Sequence, residues 1–224
     1  MINRMHDDEL NHHSASLKTP LTADAFAKTD EEKIALIEGH FQGIMETLGL
    51  DLEDDSLKGT AYRVAKMYVT EIFGGLRPDH KPALNTFENN YRYSEMLVEK
   101  NIVVYSTCEH HFMPIIGRAH IAYMSDDLVI GLSKMNRIVD YYAKRPQVQE
   151  RLTRQIASAL IEALGTDDIA VIIDAKHLCV NARGIRDTDS STVTAEYNGR
   201  FKKDENLRQE FLRYIEMETN YGDT

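Results

Sequence analysis

No run of about 18 apolar residues occurs in the chain, so a membrane-spanning helix is excluded. The first residues, Met1-Ile2-Asn3-Arg4-Met5-His6-Asp7-Asp8, lack the apolar stretch of a secretory signal, and a cytoplasmic location is expected. Cysteine occurs only twice in 224 residues, at Cys108 and Cys179, too few for a disulfide framework. A lone structural disulfide is disfavoured in a reducing compartment, which leaves metal ligation or buried thiols. Basic residues are in deficit, 26 against 36 acidic ones, for a formal net charge of −10. That argues against nucleic-acid binding through a broad basic surface. It also means that a polyanionic substrate needs a local basic cluster. There is no P-loop or Rossmann glycine motif, no internal repeat and no coiled-coil run.

What is present is an ordinary globular composition, 42% hydrophobic, in three parts. Residues 1–28 are polar and lack a sustained period; they read as a flexible N-terminal extension, with His12 and His13 in a solvated tail. Residues 29–94 read as a helical hairpin and linker. Thr29-Asp30-Glu31-Glu32 is a capping-box pattern. Ile34, Ile37, Phe41, Ile44 and Leu48 follow at helical spacing, and Gly49 closes the helix. A second helix is predicted over 56–73, with Ala61, Val64, Ala65, Tyr68, Val69 and Ile72 on its apolar side.

Residues 95–224 carry an α+β pattern in the order β-β-α-α-β-β, with a C-terminal helix. Strands over 96–105 and 117–124 read as an antiparallel pair whose connection holds the Cys-Glu-His-His segment. A helix starts near Ser133 and ends before Pro146; a longer one ends at Gly165. Strands over 169–180 and 191–196 follow, and Asp204 caps the last helix.

Chemistry concentrates in two segments, Cys108-Glu109-His110-His111 and His177-Leu178-Cys179. Cys108 and His111 have C-x-x-H spacing, a common way to place two ligands in one turn. Cys179 comes from a distant strand end. Zinc suits this thiolate-plus-imidazole set best. If 177–179 is extended, His177 and Cys179 point to the same face. Two arrangements stay open. Cys108, His111 and Cys179 can leave a fourth corner for water, as in a hydrolytic site, or His177 can close a structural Cys2His2 site. His110 beside the metal favours the open form. Glu109 reads as an orienting partner for a neighbouring histidine.

Three basic pairs stand out in an acidic chain. Arg63 and Lys66 share a helix face, as do Lys134 and Arg137 just after Ser133 as N-cap. A helix N-terminus with a hydroxyl and two cations suits phosphate. Arg183 and Arg186 follow the His-x-Cys segment. Glu150, beside Gln149, is either a first-turn acid serving the helix dipole or an acceptor for the paired N–H donors of a guanine edge.

Together, Cys108-Glu109-His110-His111-Phe112-Met113-Pro114, Ile116-Gly117-Arg118-Ala119-His120, Gly131-Leu132-Ser133-Lys134 with Arg137, Arg145-Pro146-Gln147-Val148-Gln149-Glu150, His177-Leu178-Cys179-Val180 and Ala182-Arg183-Gly184-Ile185-Arg186 resemble the motifs of GTP cyclohydrolase I. The likeness covers about residues 30–217 in the family's order. It implies a tunnelling fold assembled as a toroidal homodecamer with active sites between subunits. It implies conversion of GTP and water to 7,8-dihydroneopterin triphosphate and formate, the entry to folate or other pterins. Carried onto this chain, it implies that Cys108, His111 and Cys179 hold Zn2+ and that His110 and His177 move protons. Glu150 would anchor guanine with Gln149 nearby. Ser133, Lys134, Arg137, Arg183, Arg63 and Lys66 would bind the triphosphate, with Arg186 kept as structural. A related tunnelling-fold enzyme on another purine or pterin, or a zinc-stapled non-catalytic oligomer, are the rival expectations.

Overall fold

The computed structural model describes residues 16–218. Residues 1–15, with His12 and His13, lie outside the described residues. The first helix, α1 (Asp30–Thr47), starts where its capping box dictates: Thr29 Oγ1 accepts from the Glu32 N–H at 3.2 Å, and the Glu32 carboxylate accepts from the Thr29 N–H at 2.8 Å. The second, α2 (Thr60–Met67), is shorter than its apolar spacing suggests, starting after Gly59 and running on as one π-helical turn over Tyr68–Ile72. The residues before it fold into turns instead, because the Asp54 carboxylate accepts from the Ser56 N–H at 2.8 Å and competes with helical bonding.

The hairpin is locked to the rest of the chain at Gly75. Its N–H donates to Lys144 O at 3.0 Å, and its carbonyl accepts from Arg145 Nε at 2.8 Å. A Cβ at this position would lie 2.0 Å from Tyr141 O, so only glycine permits the approach.

The remaining elements are β1 (Thr86–Glu88), β2 (Leu97–Cys108), β3 (Pro114–Tyr123), β4 (Leu128–Ile130), α3 (Leu132–Ala143), β5 (Pro146–Gln147), α4 (Gln149–Leu164), β6 (Ile169–His177), α5 (Leu178–Asn181), β7 (Thr192–Tyr197), α6 (Gly199–Lys203) and α7 (Glu205–Glu216). The main sheet has the order β5-β2-β3-β6-β7, antiparallel except for the short parallel pairing of β5 with β2. β1 and β4 pair separately. The α+β class and the β-β-α-α-β-β order are thus as expected, with β1, β4, β5, α5 and α6 added.

Alternation along the strands separates the two sheet faces. One buries Ile102, Val104, Ile115, Ile121 and Ile173 against Met135 and Ile138 of α3 and Leu152, Ile156 and Leu160 of α4. The other is covered at one end only, where Phe201 and Phe211 pack over Ala122, Ala170 and Ile172. At its other end Val103, Tyr105, Ile116 and Val193 are exposed, Tyr105 by 63% and Val193 by 62%. Among the described residues no helix is long and apolar enough to cross a membrane.

Two local expectations are corrected. Ser133 is not the cap of α3: Gly131 occupies that position, extended at φ −63 and ψ 133, and Ser133 lies inside the first turn. The strand expected over 169–180 ends at His177, where the chain turns into α5. The N-terminal segment is bonded to the β5–α4 region from Ser16 onward. Arg151 Nε donates to Ser16 O at 3.0 Å, Gln155 Nε2 to Leu17 O at 2.8 Å and Arg145 to Thr19 Oγ1 at 3.1 Å.

Candidate active site

β2 delivers Cys108 to the mouth of the β2–β3 hairpin. Two backbone bonds close the turn there: Cys108 N–H donates to Met113 O at 2.8 Å, and Phe112 N–H to Cys108 O at 2.9 Å. Phe112 takes φ 53 to complete the reversal. β6 pairs with β3 so that His177 lies opposite Ile115, at the same end of the sheet. The turn into α5 then carries Cys179 back over that end. The ligand atoms of Cys108, His177 and Cys179 consequently all lie within 4.8 Å of one another. Two thiols and an imidazole are a donor set that fits zinc.

The histidines of the turn are arranged differently. His110 Nδ1 lies 3.7 Å from Cys108 Sγ. The His111 ring is on the exposed turn, its centroid 6.5 Å from that of His110, and the Cys108–His177–Cys179 group does not include it. Glu109 receives a two-pronged ion pair from Arg151, at 2.6 and 3.2 Å. Sequence reasoning passed over Arg151. The signal was there in Arg151 and Gln155, polar at i and i+4 beside the apolar stripe of α4.

Gln149, the first residue of α4, is fully buried and engaged at both ends of its amide. Its Nε2 donates to Ile173 O at 3.0 Å, Thr192 O at 2.8 Å and Thr194 Oγ1 at 3.1 Å. Backbone carbonyls only accept, so the amide orientation is determined and Oε1 faces His177 Nε2 at 2.8 Å. An amide oxygen also only accepts, so Nε2 carries the proton and Nδ1 keeps the lone pair. Gln149, expected near the substrate, thus lies against His177. Burial holds the His177 imidazole below its ordinary value of 6.5, while the nearby Glu150 carboxylate pulls the other way. Burial likewise pushes the Cys179 thiol up, Cys108 adds to the effect and Arg183 opposes it. Glu150 and Arg183 therefore both act electrostatically on this group.

The other basic residues are distributed more widely. Lys134 and Arg137 are one turn apart on α3, and Arg137 lines a cavity of about 390 Å³ with His80, Asp140 and Lys144. Arg63 and Lys66 lie on the exposed side of α2, where Arg63 donates to Lys58 O at 3.0 Å and Thr60 Oγ1 at 2.8 Å.

A family model described as GTP cyclohydrolase I matches residues 37–216. The chain belongs to the GTP cyclohydrolase I family. It is 64% identical over 211 residues to GTP cyclohydrolase 1 of Flavobacterium johnsoniae, an alignment covering 94% of each chain. It is 52% identical over 199 residues to the proteins of the same name from Citrobacter koseri and Salmonella gallinarum, covering 89% of this chain and 90% of each relative. Membership carries the enzyme class read from the motifs, a hydrolase, and the β-β-α-α-β-β unit described above is consistent with the family's tunnelling fold.

Proposed function

We propose that this chain hydrolyses and rearranges GTP to 7,8-dihydroneopterin triphosphate and formate, with zinc as cofactor. The observation that carries the reading is the convergence of two thiols and the His177 imidazole within 4.8 Å, beside Glu150 and Arg183, in a member of this family. Cys108, Cys179 and His111 hold the metal. Zinc held there would supply Lewis-acid chemistry, lowering the pKa of a water to about 7 so that a hydroxide nucleophile is available at neutral pH.

The protein groups do the rest. C8 of guanine resists attack because its ring is aromatic. His177 first takes up a proton on Nδ1 and then delivers it to N7, making C8 electrophilic; Gln149 holds its Nε2–H throughout, so that the neutral ring left behind again has its lone pair on Nδ1. Glu150 accepts from N1–H and N2–H of guanine and anchors the base. After the C8–N9 bond opens and formate leaves, His110 serves as proton donor in the ribose rearrangement. Ser133, Lys134, Arg137, Arg183, Arg63 and Lys66 bind the unreacting triphosphate and orient the substrate. Some of them do so from neighbouring subunits. The bare sheet end at Val103, Tyr105, Ile116 and Val193 supports assembly, since a second copy buries it; the toroidal decamer is the form proposed. A cytoplasmic location belongs to the same reading.

One observation favours a second reading of the ligand set, in which His177 supplies the imidazole: it is the ring gathered with the two thiols. Zinc content of the purified variants decides. His111→Ala loses zinc under the first reading while His177→Ala keeps it and no longer hydrates C8. Zinc lost from His177→Ala and retained by His111→Ala establishes the second.

A further inference from the structure

The first three residues of α4 point in different directions, because successive helical residues are turned by about 100°. Gln149 reaches His177, Glu150 lies near the same ring, and Arg151 reaches across to Glu109. Arg151 is the unusual member. Its side chain is only 5% exposed, and its charge is met by one carboxylate, Glu109, itself 23% exposed. The two NH groups form a fork on the two carboxylate oxygens, and Nε donates to Ser16 O at 3.0 Å. Such a fork fixes the direction of the carboxylate as well as its position, which a lysine cannot do.

Glu109 sits between Cys108, which holds the metal under the proposed function, and the two histidines of the turn. Its backbone N–H donates to Gln147 O at 3.0 Å, so main chain and side chain are both held from the β5–α4 side. We propose that Arg151 is a positioning residue: through Glu109 it holds the Cys108–His111 turn in the geometry that receives metal. This rests on the zinc-dependent reading above. In the site Arg151 bonds to Glu109, and its effect passes through the orientation of the turn.

The test compares wild type, Arg151→Met and Arg151→Lys as full-length zinc-free proteins, checked for folding by circular dichroism. Zinc affinity is read by competition with a chromophoric chelator, and ligand geometry by the absorption spectrum of the cobalt-loaded protein. Partners behind a metal ligand typically contribute about tenfold to a hundredfold in affinity, and a loss in that range is expected for Arg151→Met. Arg151→Lys, which keeps the charge and loses the fork, falls between, and both shift the cobalt spectrum. A merely structural salt bridge lowers the unfolding midpoint and leaves the affinity and spectrum of the folded protein unchanged. An Arg151→Lys protein with wild-type zinc affinity and spectrum overturns the proposal, whether or not Arg151→Met folds. Wild type that binds zinc and leaves GTP intact refutes the function reading instead, and the affinity comparison still judges Arg151.

Discussion

Gln149→Met keeps roughly the shape of the side chain and removes every polar contact it makes. Two backbone carbonyls, of Ile173 and Thr192, lose a donor, and the His177 Nε2–H loses its acceptor. Thr194 Oγ1 is spared because Thr153 Oγ1 remains 2.7 Å away. A buried polar group left unsatisfied costs about 1–3 kcal/mol. The His177 side is half-buried and can recover water, so the sum is about 2–3 kcal/mol rather than three full penalties. Urea unfolding of the zinc-free protein measures it. The sharper readout is the His177 ring itself. In wild type the 15N spectrum at a pH where the ring is neutral shows one tautomer, protonated at Nε2. In Gln149→Met the two tautomers mix, and kcat for GTP falls more than KM rises. A variant whose tautomer is unchanged and whose KM alone rises shows that Gln149 acts on the substrate and does not set the His177 tautomer.

Glu150→Gln weakens GTP binding by about 2 kcal/mol, seen as a raised KM, because an amide meets two donors with one acceptor and one further donor; an unchanged KM removes Glu150 from the guanine site. His120 governs an acid limb of stability. Burial holds its pKa below 6.5, with Lys100 pushing the same way and Asp174 opposing, and its Nδ1 accepts from the Asn101 N–H at 3.3 Å. The unfolded chain therefore binds more protons than the native one below about pH 6.5, so the stability contribution is complete above that pH and is lost as pH falls through the native pKa. Unfolding midpoints measured from pH 7.5 downward decline in wild type and decline less in His120→Gln; parallel curves contradict the assignment.

Local patterns carried much of the fold in advance. Thr29 and Glu32 lie three residues apart, and both halves of their capping box form. Asp204 caps α7 as its position suggests, accepting from the Asn206 N–H at 2.8 Å. The long helix ends at Gly165, which adopts φ 65. What stayed hidden depends on partners far away in the chain. β5 is two residues long and exists because Gln147 comes alongside Cys108. The His177-Leu178-Cys179 segment alternates like a strand, yet the pairing of β6 with β3 ends at Ile115 and the chain is then released into a helical turn.

The site divides in the same way. Residue type and spacing singled out Cys108, Cys179 and His177, which the fold gathers. Nothing local foretells that Gln149 meets one carbonyl of β6 and one of β7, or that Arg151 reaches Glu109 from 42 residues away. Those contacts need the register of the sheet and the direction of α4, neither of which periodicity encodes.

The most direct measurement is incubation of the zinc-loaded, full-length protein with GTP, following formate release and the fluorescence of the oxidised pterin product together. Both are expected, in equal amounts, and both are lost when zinc is stripped. Zinc-loaded, folded protein that releases neither contradicts the proposed function.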